Sequence, residues 1–463
     1  MTNMQQTISP VDGSVYVTRP LATAAEIQQT LAQASNAQKH WANTELSERK
    51  AICLKAVEWF EANRDVIGEE ICWQMGRPIR FAKGEVGGLA ERARFMIEAS
   101  ETALAPITLP EKPGFTRYIT REPVGVVAVI APWNYPYLTA VNSIVPALLA
   151  GNSVILKHSA QTPLCAERFQ AAFEAAGLPE GVFQVLHLSH DSTTALIQSA
   201  QVDYVAFTGS VPAGAHVEQA AAGRFIGVGL ELGGKDPAYI RADANLDVAA
   251  ETAIDGAFFN SGQSCCGIER IYVHESVHDA FVEKAVAIVN QYRLGRSDDP
   301  ETTLGPLVRT SAAEFVREQI QEAVAQGAVA QIDETRFPLS KPGTPYLAPQ
   351  ILTQVDHTMR VMHEESFGPV VGIMKVSSDE EAIALMNDSD FGLTASLFTQ
   401  DIERGIALGE QLETGTFFIN RCDYLDPGLA WTGVKQSGRG CTLSVLGFDA
   451  LTRPKSFHIK TLA

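Results

Sequence analysis

The chain has 463 residues, 46% hydrophobic and 19% charged, enough for more than one structural unit around a sizeable core. Its formal net charge of −18 repels phosphate, which argues against nonspecific binding to nucleic acid or to an anionic membrane. The seven cysteines include no C-x-x-C pair, so neither a zinc site nor a disulfide framework is expected, and a reducing cytoplasm fits best.

The N-terminal "MTNMQQTISP" has no basic stretch followed by an apolar one, so no secretory signal is expected. No apolar run reaches the length of a membrane span. The first hundred or so residues read as helices by apolar spacing, as in "TAAEIQQTLAQASNAQKHWAN" and "LAERARFMIEASETAL". From Tyr118 the rhythm changes. "VGVVAVIAPW" predicts a strand and "LTAVNSIVPALLAG" a helix closed by Gly151. "SVILKHS" and "LCAERFQAAFEAAG" repeat the pair, as do "VFQVLHL" and "STTALIQSA", and "VDYVAFTGS" predicts a fourth strand. Strands alternating with helices imply a parallel sheet covered on both faces, the architecture that binds nucleotides at the carboxyl ends of its strands.

A second α/β unit is expected from about Gly234, with helices at "LDVAAETAIDGAFFN", "SVHDAFVEKAVAIVNQY" and "AAEFVREQIQEAVAQG". "TRYITREP" and the terminal "KSFHIKTLA" alternate like edge strands, so they are candidates for pairing across subunits.

No G-x-G-x-x-G follows any of these strands. "GLELGGKD" (Gly229 to Asp236) approaches a phosphate loop but ends in Asp236, which offers no hydroxyl to magnesium and sets a negative charge beside phosphate. "FTGS" (Phe207 to Ser210) is the better anion site, because a strand ends and a helix begins there. Cys265 and Cys266 follow a Gly262-Gln263 turn. By themselves they are a buried thiol pair or a nucleophile with a bystander. His158, His187 and His190 show no spacing that nominates a base for a Cys-His hydrolase.

Four stretches, "PWNYP" (Pro132 to Pro136), "LELGGKDP" (Leu230 to Pro237), "FFNSGQSC" (Phe258 to Cys265) and "EESFGPV" (Glu364 to Val370), occur in order. Together they resemble the NAD(P)-dependent aldehyde dehydrogenase superfamily over nearly the whole chain. The resemblance implies an aldehyde dehydrogenase-like α/β fold in three parts. These are a Rossmann-type cofactor domain (1–104 and 124–233), an α/β catalytic domain (234–446) and a β oligomerisation arm (105–123 and 447–463). It implies oxidation of an aldehyde to a carboxylic acid with NAD or NADP, NAD being preferred, by a cytoplasmic homodimer or homotetramer without a metal.

Residue by residue, Cys265 matches the nucleophile, Asn134 the oxyanion donor and Glu231 the general base. Glu365 matches the residue on the nicotinamide ribose, Phe367 a neighbour of the ring, and Lys157 the residue reaching the adenosine ribose. Trp133, Gly209 and Ser210 are expected to line the cofactor channel. Cys266 is expected to point elsewhere.

Three departures from the family pattern stand out. Ala160 occupies the place of a glutamate that in many relatives repels the extra phosphate of NADP, which leaves His158 and Ser159 as candidate phosphate donors. Thr442 occupies the place of a glutamate that assists proton transfer. "RCDYLDPGLAWTG" matches no substrate signature; Asp423 and Asp426 favour a neutral or cationic aldehyde, whereas Arg421 favours a carboxylate-bearing semialdehyde. A thiol-dependent esterase, which needs no nucleotide, is the rival enzyme reading.

Overall fold

The computed structural model describes residues 4–461. The first three residues of "MTNMQQTISP" and the last two of the expected arm lie outside the described residues.

The first sheet has six strands in the order Gly438–Arg439, Gly227–Glu231, Tyr204–Thr208, Val126–Ala131, Ser153–His158 and Phe183–Val185. All neighbours run parallel except the first pair. The strand Val126–Ala131 is apolar throughout and fully buried, as a parallel sheet between helices requires, and its neighbour Ser153–His158 is buried except at Lys157. The helix Pro136–Leu149 leaves the carboxyl end of Val126–Ala131 through "PWNY". Pro136 at its first position fits, because that position has no amide partner to lose.

The second sheet has seven strands: Val329–Ala330, Gln350–Thr353, Val370–Val376, Ile268–His274, Asp236–Ile240, Thr394–Phe398 and Thr416–Ile419. Each sheet has its own apolar core, with Val127 and Leu156 in one and Ile271 and Phe398 in another. The short strand Gly438–Arg439 comes late in the chain yet extends the first sheet, so the segment returns across both units.

Two expectations are corrected. The chain does not start with helices: Met4–Ile8 and Val15–Pro20 form an antiparallel hairpin before the helix Ala24–Trp41. "VYVTRP" has the alternating β-branched pattern of a strand, and Val17 is buried while its neighbours are not. The terminal strand also has an in-chain partner. Thr452–Lys460 pairs antiparallel with Phe115–Pro123 over nine residues, and Ile107–Thr108 completes a third sheet of three strands. Among the described residues no helix is long and apolar enough to cross a membrane.

Candidate active site

Two cavities meet at Cys265. The larger, about 700 Å³, is lined by Arg92, Tyr135, Glu231, Cys266, Asp423 and Trp431 among others. The smaller, about 350 Å³, is lined by Trp133, Asn134, Gly209, Ser210, Glu365 and Phe367 among others. Cys265 and Thr208 are the residues that border both.

The route of the chain to Cys265 is strained. The helix Leu246–Phe258 ends, and Asn260, Ser261 and Gly262 all take left-handed backbone, with φ of 53°, 57° and 72°. Only glycine does this without cost, so surrounding contacts must impose it on Asn260 and Ser261. Asn260 Nδ2 donates to the carbonyls of Asn134 and Gln263, 3.2 Å each, and its Oδ1 accepts from Arg77 Nε at 3.1 Å. Arg77 also donates to the Asn134 carbonyl at 2.5 Å and pairs with buried Glu85. Glu85 in turn accepts the Tyr137 and Leu138 amides at 3.0 Å, at the start of the helix that follows "PWNY". This buried network ties the Asn134 loop to the Cys265 loop. Asn134 is 5% exposed and its Nδ2 donates to the Gln263 carbonyl at 3.3 Å. Gly234 packs flat against the Cys265 loop: a Cβ there would lie 2.4 Å from the Cys265 carbonyl oxygen.

Glu231 sits where the first sheet meets the larger cavity. Its strand pairs Thr208 with Glu231 in register, so the Thr208 hydroxyl donates to Glu231 Oε2 at 3.1 Å. Thr442 donates to Oε1 at 2.5 Å. Burial raises the carboxyl above its ordinary range, while both hydroxyls and the Arg92 guanidinium pull it back down.

The two adjacent thiols differ. Cys266 is 3% exposed and its Sγ donates to Asp423 Oδ1 at 2.9 Å. The Cys265 side chain, burial and the Asp423 carboxylate push its thiol well up. Contrary to the expectation that the pair point apart, both border the larger cavity, but only Cys265 reaches the smaller one. Burial pushes the Asp423 carboxyl up to about 6, and its backbone is left-handed at φ 47°. Asp426 does not line the cavity; its Oδ1 accepts the Gly428 amide at 2.8 Å, a local turn contact. Arg421 stacks over the Tyr424 ring at 3.9 Å, and Tyr424 donates to Glu91 at 2.6 Å.

The residues around the smaller cavity fit a nicotinamide nucleotide. Trp133 and Phe367 meet edge to face, centroids 5.7 Å apart, and give an aromatic slot. Glu365 brings a carboxylate, raised to about 7 by burial and by Glu269. Ser210 caps the eleven-residue helix Val211–Ala221 without spending its hydroxyl on that helix, which leaves it for an anion. Lys157 is the last residue but one of the strand Ser153–His158, outside both cavities. His158 is not a phosphate donor: its Nε2 contacts the Pro136 carbonyl, its Nδ1 faces Ser159 and Thr162, and burial lowers it to about 4. Lys235 of "GGKD" is buried against Glu269, and Asp236 accepts from Thr394, so neither faces a phosphate.

Residues 2–457 match the aldehyde dehydrogenase family, and the chain belongs to it. It is an oxidoreductase that oxidises an aldehyde with a nicotinamide nucleotide. It is 34% identical, over 97% of its length and 93% of the relative's, to a succinate-semialdehyde dehydrogenase [NADP(+)] of Deinococcus radiodurans. It is similar to an NADP-dependent glyceraldehyde-3-phosphate dehydrogenase of Bacillus halodurans solved with NADP (TM-score 0.94, 32% identity, covering 99% of this chain and 96% of that one). It is also similar to an indole-3-acetaldehyde dehydrogenase solved with NAD+ (TM-score 0.95, 33% identity, covering 99% and 93%).

Sequence reasoning missed Arg77, Glu85, Asn260, Thr208 and the Lys235–Glu269 pair. Only Asn260 carried a signal, as a residue tolerant of left-handed backbone two places before a glycine.

Proposed function

We propose that Cys265, Asn134 and Glu231 carry the oxidation in this chain, with the aldehyde in the larger cavity and the nicotinamide end of the nucleotide in the smaller. The carrying observation is that Cys265 borders both cavities. The Cys265 thiolate attacks the carbonyl carbon, forming a C–S bond and moving the π pair onto oxygen. The Asn134 amide and the Cys265 backbone N–H hold that oxyanion, a contribution of about 3–4 kcal/mol. A bound nicotinamide ring supplies the acceptor for the hydride that leaves the carbon as the oxyanion collapses. Cys265 is then left as a thioester. Glu231 takes a proton from the water that attacks it, and the acid and free thiol are released.

Glu365 would accept hydrogen bonds from the nicotinamide ribose, Phe367 and Trp133 would flank the ring, Gly209 and Ser210 would meet the phosphates, and Lys157 would reach the adenosine ribose. Both NAD and NADP are used. Ala160 puts no charge against the extra phosphate of NADP, and no arginine stands beside Lys157 to grip it, so NAD is preferred. The named enzymes above use NADP in two cases and bind NAD+ in the third.

A neutral or cationic aldehyde suits the larger cavity. Glu91, Glu231, Glu251, Asp255 and Asp423 line it against one guanidinium, Arg92, and none of these five carboxylates has an ion-pair partner among the described residues. Arg92 already donates to the Leu138 carbonyl at 2.7 Å and to Asn142 at 3.3 Å. A carboxylate-bearing semialdehyde is the second reading, supported by the name of the Deinococcus relative. The three larger sheets suit the division into cofactor domain, catalytic domain and arm, and the arm's free edge suits a homodimer or homotetramer. Adding aldehyde and either nucleotide to the enzyme and following the reduced-nucleotide absorbance tests the reading. An esterase would cleave an ester without nucleotide and leave that band flat.

A further inference from the structure

We propose that Glu269 is a positioning residue for the nucleotide: it clamps the turn that carries Glu365 and Phe367 into the smaller cavity. The inference rests on the reading that this cavity takes the nicotinamide end.

Glu269 is the second residue of the strand Ile268–His274, which starts just after the two thiols. It is 4% exposed and lines neither cavity. Its Oε2 accepts from Lys235 Nζ at 2.5 Å and from the Ser366 amide at 2.7 Å. Its Oε1 accepts from the Phe367 amide at 2.8 Å. Lys235, 1% exposed, also donates to Ser366 Oγ at 3.1 Å. One carboxylate thus holds two consecutive backbone amides and a buried ammonium.

The turn needs that hold. Phe367 has φ 52°, a left-handed conformation that a bulky side chain keeps only when its surroundings impose it. Two amides bound to one buried anion impose it, and the result is the edge-on contact of Phe367 with Trp133. On the other side of the turn, Glu365 Oε1 accepts the Gly234 amide at 3.0 Å, and Gly234 is the residue before Lys235. The Lys235–Glu269 pair therefore pins both loops that meet at Glu365. The fit there is close: a Cβ on Gly233 would stand 2.5 Å from the Glu365 oxygens.

Glutamine cannot replace Glu269 in this role. All three of its partners donate, so the amide NH₂ meets donors on one side and the clamp loses at least one amide. It also leaves Lys235 as a buried ammonium without its anion, so a second variant, Glu269→Gln with Lys235→Met, removes both charges and keeps the fold free of an unpaired one.

The test measures NAD+ dissociation constants by calorimetry, together with the rate at which iodoacetamide alkylates Cys265 in the absence of nucleotide. Both variants are expected to weaken NAD+ by about fivefold or more while the alkylation rate stays within about threefold of the parent. A smaller change in affinity overturns the proposal, and so does alkylation that falls in step with affinity, because the whole site has then shifted. If Glu269→Gln does not fold, the double variant decides by the same thresholds; if neither folds, the pair is structural and the proposal fails. Glu365→Ala separates the two layers. If it weakens NAD+ while the Glu269 variants do not, the clamp alone is wrong. If it leaves NAD+ binding unchanged, the assignment of the cavity is wrong and the clamp falls with it.

Discussion

In the proposed mechanism, replacing Glu231 by glutamine is expected to remove the base and little else. Thr208 and Thr442 both reach the carboxylate, at 3.1 Å and 2.5 Å, and a threonine hydroxyl can accept as well as donate. The glutamine carbonyl keeps the Thr442 bond, the Thr208 hydroxyl turns to accept from the new NH₂, and the side chain stays in place. What is lost is proton abstraction from water. A positioned general base contributes about 10²–10⁴-fold, so thioester hydrolysis slows by that factor, roughly 3–5 kcal/mol of barrier. Thiol attack and hydride loss use Cys265 and Asn134 and change by less than about tenfold. Rapid mixing of the Glu231→Gln enzyme with aldehyde and NAD+ is then expected to give a burst of NADH near one per active site, followed by a slow steady state. Equal slowing of burst and steady state refutes the reasoning and removes Glu231 from the water-activating role.

Cys265→Ala is expected to abolish turnover while the NAD+ dissociation constant, measured by calorimetry, stays within about threefold; Cys266→Ala keeps most of the activity, and the reverse pattern exchanges the two assignments. Glu365 is pushed up to about 7, so it is ionised above that pH and gains a proton as pH falls through it. The KM for NAD+ is therefore expected to rise by about fivefold between pH 8 and 6, and in Glu365→Gln this rise is absent. In a panel of matched chain length, butanal and 4-aminobutanal are expected to exceed succinate semialdehyde in kcat/KM by about tenfold or more, about 1.4 kcal/mol; a preference for the semialdehyde makes Arg92 the anchor of a substrate carboxylate. Light scattering at micromolar concentration is expected to give a dimer or a tetramer, and a monomer removes the role assigned to the arm.

The parallel strands were legible because they are short, largely apolar and alternate with helices, two of which close at Gly151 and Gly177. The hairpin at Met4–Pro20 was not, because "MQQTI" is mostly polar and alternation that short is weak. "TRYITREP" and "KSFHIKTLA" were legible as strands but not as partners: the Thr120–Lys455 contact spans 335 residues, and register over such a distance leaves no local mark. The same divide runs through the site. Cys265, Glu231, Asn134 and Glu365 sit in compact motifs. Arg77 meets Asn260 across 183 residues and Glu269 meets Ser366 across 97, so an arginine and a glutamate with ordinary neighbours in sequence become the frame of the site only once the chain has folded. Asp423 and Asp426 looked alike in "RCDYLDP", yet one faces the cavity and the other closes a turn.

Thr442 shows why a departure from a motif has consequences beyond its own position. A glutamate there would set a second carboxylate against Glu231, and two like charges in contact raise whichever protonates first. The threonine instead offers a hydroxyl, which stabilises the ionised form of Glu231 and opposes the rise that burial imposes. A hydroxyl cannot store a proton as a carboxylate can. In the proposed mechanism the proton transfer then falls in this chain on Glu231 alone, with Thr208 and Thr442 aiming its carboxylate and opposing the rise that burial imposes. A proton taken up by Glu231 would leave it through the larger cavity, which Glu231 lines. Asp423, pushed up to about 6 by burial, and Asp255, raised by burial and by Glu251, line that cavity with Glu231.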